Sequence, residues 1–400
     1  MLRPGTFGLT LLLAALTAIG PLTTDMYLPS LPDIARLLDA STAQAQFTIS
    51  SYLIGFALGQ MFYGPISDRH GRKPVLLTAL AIYCVASLIC FIAQSIEMLI
   101  AARALQAFGG CGGIVLARAI VRDLYAGARA GRELSLIAAV MALAPVLAPV
   151  IGGVVQVLFG WRANFAVLLA AGLVLSFAVW WRLPETLVTR AAEPFSLSSM
   201  FRSYAIVARN GVYLSYLALV ATCFAGLFAW ISGASFVLQN IYGLGAFAFG
   251  VAFACGSVGY MIGSSLAAKL VMRIGLDRTI GFGAAALAAG GLSMTVSVAL
   301  GLTSAASLVI PMAVYLAGLG MVLAQATAGA LTPFPERAGA ASSLLGVFQQ
   351  GTAAITGAVV GVLLGNSAWP MAGAIALMGC ATLLVWTITR GLRARAAADR

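Results

Sequence analysis

The chain has 400 residues, 61% of them hydrophobic and only 9% charged, with a mean hydropathy of +1.00. Soluble domains carry about 25% charged residues, so this composition excludes a water-soluble globular protein and describes a chain that lives in lipid. The net charge of +11 and pI near 9.8 call for no nucleic-acid partner, because basic residues gathered on one membrane face produce the same excess.

A bilayer core needs about 20 apolar residues per helix. Apolar windows of that length predict twelve membrane helices: Phe7 to Leu28, Ala45 to Ser67, Pro74 to Gln94, Met98 to Ala119, Leu134 to Val157, Ala163 to Leu183, Val212 to Ala234, Ala246 to Leu270, Thr279 to Leu300, Ala305 to Ala330, Ala340 to Leu364 and Ala368 to Arg390. The first span follows Arg3 and lacks a small-x-small cleavage pattern, so it is counted as a membrane helix. Of the basic residues in loops and tails, Arg36 and Arg162 fall on one face and all the rest on the other, which is expected to place both termini in the cytoplasm. All six cysteines lie in apolar spans and the single histidine, His70, is in a loop, so neither disulfides nor a metal site are expected.

Along the chain, the first candidate site residue is Asp25, at the outer end of span one. Two readings stand. A carboxylate held out of water can bind and release a proton as its exposure changes; alternatively, it sits at the water interface and caps the helix end near Pro29. Between spans two and three comes Gly64-Pro65-Ile66-Ser67-Asp68-Arg69-His70-Gly71-Arg72-Lys73-Pro74, read as a very short loop at one membrane face. There Gly64 is expected to allow close backbone approach, Gly71 a left-handed turn, and Pro74 the first position of the next helix. Asp68, Arg69, Arg72 and Lys73 crowd both signs of charge into that turn. Plain positive-inside anchoring accounts for the three cations, yet leaves Asp68 and the glycine spacing unexplained.

Span four holds Arg103, which cannot deprotonate and must find acceptors or snorkel to a membrane surface. Glycines follow it at 109, 110, 112 and 113; with no strand before them they are read as helix-contact residues rather than a phosphate loop. Span five carries Pro145, Pro149, Gly152 and Gly153, which bend a helix and thin one face. After span six, residues 184–211 form the only long internal connection, dividing the chain into an N-terminal bundle (1–183), a cytoplasmic linker (184–211), a C-terminal bundle (212–390) and a cytoplasmic tail (391–400). The halves echo each other: Gly55-x3-Gly59 with Arg69 and Lys73 is matched 200 residues on by Cys255-x3-Gly259 with Lys269 and Arg273, and Trp161 and Trp369 each open a helix. Such echoes suggest two homologous six-helix bundles. Ionisable residues deep in spans, Asp25 and Arg103, both belong to the first half.

The run from Gly64 to Lys73 resembles the GxxxDRxGR[KR] loop between the second and third helices of major facilitator superfamily transporters. DMYLPSLP, residues 25–32, resembles the first-helix signature of that superfamily's Bcr/CflA branch, the drug:proton antiporters. Arg103 to Ala107 is similar to the RxxQG motif, with Ala107 in the glycine place, and residues 148–153 to the antiporter GPxxGG motif, with Ala148 for its first glycine. This resemblance covers nearly the whole chain. It implies an all-α integral membrane protein of twelve transmembrane helices in two pseudo-symmetric six-helix bundles, with the substrate site between the bundles and the span-five motif at their interface. It implies that Asp25 and Arg103 couple transport to protons. In the loop it implies that Asp68 meets a helix N-terminus near Gly339 and that Arg72 pairs with Asp123, ordinary surface salt bridging being the plainer account. Tyr27, Tyr52, Phe56, Phe228 and Trp230 are then candidate cavity aromatics, or plain helix packing. The implied function is export of a small lipophilic, drug-like compound in exchange for protons, by a monomer in the bacterial inner membrane, without cofactor or metal. A metabolite importer is the rival within transport. A membrane-embedded enzyme is disfavoured, since no cluster of His, Asp or Cys lies at one face.

Overall fold

A computed structural model describes residues 6–125, 127–187 and 197–398. With no water in a bilayer core to satisfy backbone N–H and C=O groups, a chain this apolar must pair them within helices. The described residues accordingly form α1 (Phe7–Asp25), a 3₁₀ turn (Leu28–Ser30), α2 (Leu31–Leu37), α3 (Thr42–His70), α4 (Arg72–Ile92), α5 (Ile96–Leu124), α6 (Gly127–Phe159), α7 (Trp161–Arg182), α8 (Leu197–Ala208), α9 (Gly211–Phe236), a π turn (Val237–Ile241), α10 (Ala246–Ile274), α11 (Leu276–Ala299), α12 (Ala306–Leu331), a 3₁₀ turn (Pro335–Arg337), α13 (Ala338–Leu363) and α14 (Trp369–Ala398). Leaving aside the short α2 and α8, twelve long helices remain. Eleven stretches are apolar enough to cross a membrane by composition; α3, diluted by Gln44, Gln46, Ser50, Ser51 and its charged end, completes the set. Side-chain caps start several of them: Ser41 and Gln44 form a reciprocal capping box on α3, Ser95 caps α5 and Asn210 caps α9.

The chain divides into two compact units, Met1–Phe195 and Ser196–Arg400. In the first, α3 packs on α5, α4 on α5 and α7, and α1 on α6; in the second, α10 packs on α12, α11 on α12 and α14, and α9 on α13. Matched by order, these are the same helix pairs, which defines two pseudo-symmetric six-helix bundles. Glycines set the matching register. A Cβ on Gly55 would overlap the carbonyl of Ala104, and one on Gly259 the carbonyl of Ala313, while Gly263 meets Ala317 as Gly59 meets Phe108 and Cys111. Hence Gly55 answers to Gly259 and Gly71 to Gly275, a spacing of 204 residues, one helical turn beyond the 200-residue echo read from the sequence.

Several expectations change. The charged run is hardly a loop: α3 continues through His70 and α4 starts at Arg72, leaving Gly71 alone (φ +100°) as the turn. Helical hydrogen bonding continues beyond the apolar segment because nothing breaks it before Gly71. Pro74 therefore stands third in α4, where the N–H it lacks still has no intrahelical acceptor. Gly64 faces open space, so it provides no close approach. Part of the connection after α7 is helical, α8, which packs against α13 and α9; Arg190, Glu193 and Pro194 lie outside the described residues. Finally, residues 391–398 continue α14 instead of trailing as a tail, and Arg393 is 3% exposed.

Candidate functional site

Arg103 stands on the eighth residue of α5, about 10 Å along the helix, and is fully buried. That excludes snorkelling. Its Nη1 donates to the Thr23 carbonyl at 3.1 Å and to Gln106 Oε1 at 2.7 Å, and Gln106 Nε2 in turn donates to Ser87 Oγ at 2.8 Å. Two aromatic faces take up much of the remaining charge: the guanidinium carbon lies 4.1 Å from the Tyr27 ring centre and 4.4 Å from that of Tyr52, each such contact contributing roughly 0.5–2 kcal/mol. Both tyrosines are fixed at their hydroxyls, Tyr27 to Thr48 Oγ1 at 3.0 Å and Tyr52 to the Gly20 carbonyl at 3.2 Å. Nε and Nη2 of Arg103 have no hydrogen-bond acceptor among the described residues.

Asp25 ends α1, between Thr23, whose carbonyl Arg103 holds, and Tyr27, on whose ring Arg103 lies. It is 5% exposed, and among the described residues its carboxylate has neither a hydrogen bond nor an ion pair within 4.0 Å. It does not cap the helix end. The neighbouring hydroxyls are already engaged, Thr23 with the Ile19 carbonyl and Tyr83, Thr24 with the Gly20 carbonyl. Two opposite charges are thus buried in the first unit, Asp25 at the end of α1 and Arg103 on α5, unpaired with each other.

The proline-glycine segment of α6 packs beside the end of α1. Helix α6 runs through Pro145 and Pro149, and Gly152 approaches so closely that a Cβ there would overlap the Met26 carbonyl, one residue after Asp25. Gly153 is buried next to it. Asn164 Nδ2 ties Ser30 Oγ at 3.0 Å, and Gln156 Nε2 ties Asp33 Oδ2 at 2.5 Å, anchoring the turn that follows α1. The glycine cluster of α5 acts similarly: Gly113 closes on the Leu16 carbonyl of α1 and Gly109 on Tyr83 and Ala79 of α4.

At the Gly71 turn, Arg72 gathers three partners. Its Nε donates to Asp123 Oδ2 at 2.8 Å, and Nη1 reaches Asp68 Oδ1 at 2.5 Å and Ser67 Oγ at 2.6 Å. Lys73 Nζ donates to the Trp180 carbonyl at 2.8 Å, and Arg69 is exposed. The residue missed by sequence reasoning is Glu185. Its carboxylate accepts the N–H groups of Arg72 (2.9 Å) and Lys73 (3.2 Å) at the start of α4, and those of Thr186 and Leu187. Partial burial raises the Glu185 pKa, but these four donors outweigh it and hold the carboxyl below its ordinary value. Its only signal in the sequence is a lone carboxylate just after the end of span six.

The candidate cavity aromatics divide. Tyr27 and Tyr52 hold Arg103, and Phe56 stacks on Tyr52 with ring centres 6.3 Å apart. In the second unit Phe228 pairs with Phe224 at 5.1 Å and Trp230 with Phe253 at 6.3 Å. Phe228 and Trp230 stand two residues apart on α9, on nearly opposite faces, so at most one of them faces any one cavity.

Two six-helix membrane bundles built as repeats, with unpaired charge buried in one of them, define a secondary transporter architecture. Comparison with known proteins agrees. The chain superposes on the partially occluded inward-open xylose transporter XylE from E. coli with a TM-score of 0.73 at 14% identity, covering 96% of this chain and 97% of that one. Residues 13–356 match the model of the Major Facilitator Superfamily, and the chain belongs to that family. It is 31% identical to a bicyclomycin resistance protein homolog of Haemophilus influenzae over 92% of each chain, and 30% identical to multidrug resistance protein D of Escherichia coli over 96% of each. It is a multi-pass membrane transporter and not an enzyme.

Proposed function

We propose that this transporter exports small lipophilic, drug-like compounds in exchange for protons by alternating access, as a monomer in the bacterial inner membrane with both termini in the cytoplasm. Asp25 is the titrating group and Arg103 the fixed counter-charge. Asp68, Arg69, Arg72, Lys73 and Asp123 form the latch around Gly71, and the α6 segment with Pro145, Pro149, Gly152 and Gly153 supports the Asp25 turn. The observation that carries the reading is a carboxylate, 5% exposed and without a hydrogen bond or ion pair among the described residues, in the same unit as a fully buried arginine with two nitrogens that lack acceptors. Burying such a charge costs about 2.5–3.5 kcal/mol on insertion scales, so a structural role alone gives no reason to keep Asp25. The drug-resistance names of relatives at about 30% identity support the substrate class.

The test is proton release from everted vesicles on adding chloramphenicol-class or bicyclomycin-like compounds, with drug binding measured in parallel. Asp25→Asn is expected to bind drug while losing the substrate-induced proton movement. Undiminished proton-driven export in that variant would sink the assignment of Asp25.

A further inference from the structure

The second unit has a charged cavity that the transport reading leaves unused. It measures about 470 Å³ and opens where five helices end: α9 and α11 begin there, and α10, α12 and α14 finish there. Its polar lining is Asp277, Arg278, Thr332, Arg390 and Arg393, with the Tyr216 ring on one wall.

The charges in it do not cancel. Arg393, 3% exposed, is committed in full: Nε donates to Asp277 Oδ1 at 2.7 Å, Nη1 to Thr389 Oγ1, and Nη2 to the Trp386 carbonyl at 2.9 Å. Trp386 Nε1 in turn donates to the Asp277 carbonyl at 3.0 Å, so the first turn of α11 is pinned to α14. Asp277 thereby neutralises Arg393 and holds it rigid. Arg390 reaches Asp277 only at 3.9 Å, with its guanidinium 5.4 Å from the Trp386 ring. Arg278 has no hydrogen bond or ion pair among the described residues. Two guanidinium groups therefore remain for a ligand, on a framework fixed by a third. The cavity lies at a bundle end where Lys269, Arg273, Arg278, Arg390 and Arg393 cluster, the pattern of a membrane face that meets anionic headgroups.

We propose that this cavity binds a phosphate ester, gripped by Arg278 and Arg390 with Arg393 and Asp277 as the rigid floor. Guanidinium groups match phosphate oxygens in fork geometry, and the volume exceeds that of a bare phosphate ion, leaving room for the group esterified to it. Two sources share this chemistry: the headgroup of an anionic phospholipid and a soluble phosphate.

The experiment is native mass spectrometry of the full-length protein in detergent, titrated with phosphatidylglycerol, with phosphatidylcholine, and with inorganic phosphate as competitor. Arg278→Gln/Arg390→Gln is compared with Arg273→Gln, which removes a cation from the same face but outside the cavity lining. Both altered residues are exposed, and a thermal melt of each variant checks folding. Phosphatidylglycerol binding is expected to weaken about twenty-five-fold in the double variant, at roughly a factor of five per arginine, and to hold in Arg273→Gln. Retained binding against millimolar phosphate supports a lipid headgroup; displacement by phosphate supports a soluble ligand. Equal loss in both variants, or no loss in the double variant, overturns the site. None of these readouts depends on proton coupling or drug export.

Discussion

Helices α5 and α12 hold matching places in the two units, and their difference is informative. Gly55 closes on the carbonyl of Ala104 in one and Gly259 on that of Ala313 in the other, so the backbones meet in the same way. The residue before each carbonyl differs: Arg103, fully buried and clasped by two tyrosines, against Met312, equally buried and apolar. Likewise α1 ends on Asp25, while α9 carries no acidic or basic side chain at all. Scaffold and charge are thus separable. Small residues that let helices touch recur in both units because both must pack, whereas among the described residues a fully buried arginine without a carboxylate partner, Arg103, occurs in the first unit and the buried arginine of the second, Arg393, is paired with Asp277.

The sharpest way to break this comparison is to attack what the units share. Gly55→Val and Gly259→Val each place atoms on a backbone carbonyl that cannot move without separating two helices. Each is expected to cost more than about 4 kcal/mol, seen as loss of monodisperse protein in size-exclusion chromatography. Tolerance of one but not the other would show that the units are packed to different standards.

Next in size is the feature they do not share. Arg103→Met copies the second unit into the first. It leaves Gln106 Oε1 and the Thr23 carbonyl without their donor, about 1–3 kcal/mol of destabilisation. Coupled transport should vanish while a shifted but cooperative melt persists. A variant that still exports drug on a proton gradient would mean that Arg103 only packs.

The smallest effect distinguishes the two turns, Gly71 and Gly275. Both have positive φ, +100° and +83°, and each passes directly into the next helix. The polarity is inverted: a cation, Arg72, opens α4 against Asp123 and Asp68, while an anion near the start of α11, Asp277, receives Arg393 from α14. Among the described residues, the first turn alone has a carboxylate from a later segment, Glu185, accepting the N–H groups that open the next helix. Because its folded pKa is lowered, Glu185 contributes stability above the ordinary glutamate range, and that contribution is lost as pH falls through the lowered value. Glu185→Gln is therefore expected to lower the melting temperature slightly at neutral pH, by a cap worth about 0.3–1 kcal/mol, and to converge with the parent in acid. A difference that persists unchanged after the Glu185 carboxyl has been fully protonated in acid would assign the effect to packing rather than charge.

Much of this could be read along the chain. Twelve spans, a division after the sixth, Asp25 and Arg103 as ionisable residues within spans and Gly71 as a turn all follow from local composition; that both are buried came from the fold. What escaped notice was set by contacts remote in sequence. Glu185 lies 113 residues from Arg72, whose N–H it accepts, and nothing near either residue reports the other. Arg393 reads as one more cation in a basic tail until its partner Asp277, 116 residues earlier, is placed beside it. Gly64 shows the reverse error: a glycine beside a motif suggests close approach, and the space around it is open.

By itself the sequence determined that this protein spans a membrane as helices, how many there are, and that Asp25 and Arg103 fall within apolar spans of the first half. Lipid allows few alternatives to an apolar segment, and a buried ion is visible against any apolar background. Only the tertiary structure decided who meets whom: Arg103 between Tyr27 and Tyr52, Gly152 on Met26, Glu185 across the start of α4, and Arg393 under α11. Inside a bilayer apolar side chains gain little by choosing one apolar neighbour over another, so partner choice rests on close packing and on satisfying scarce polar groups, and both are properties of the assembled helices.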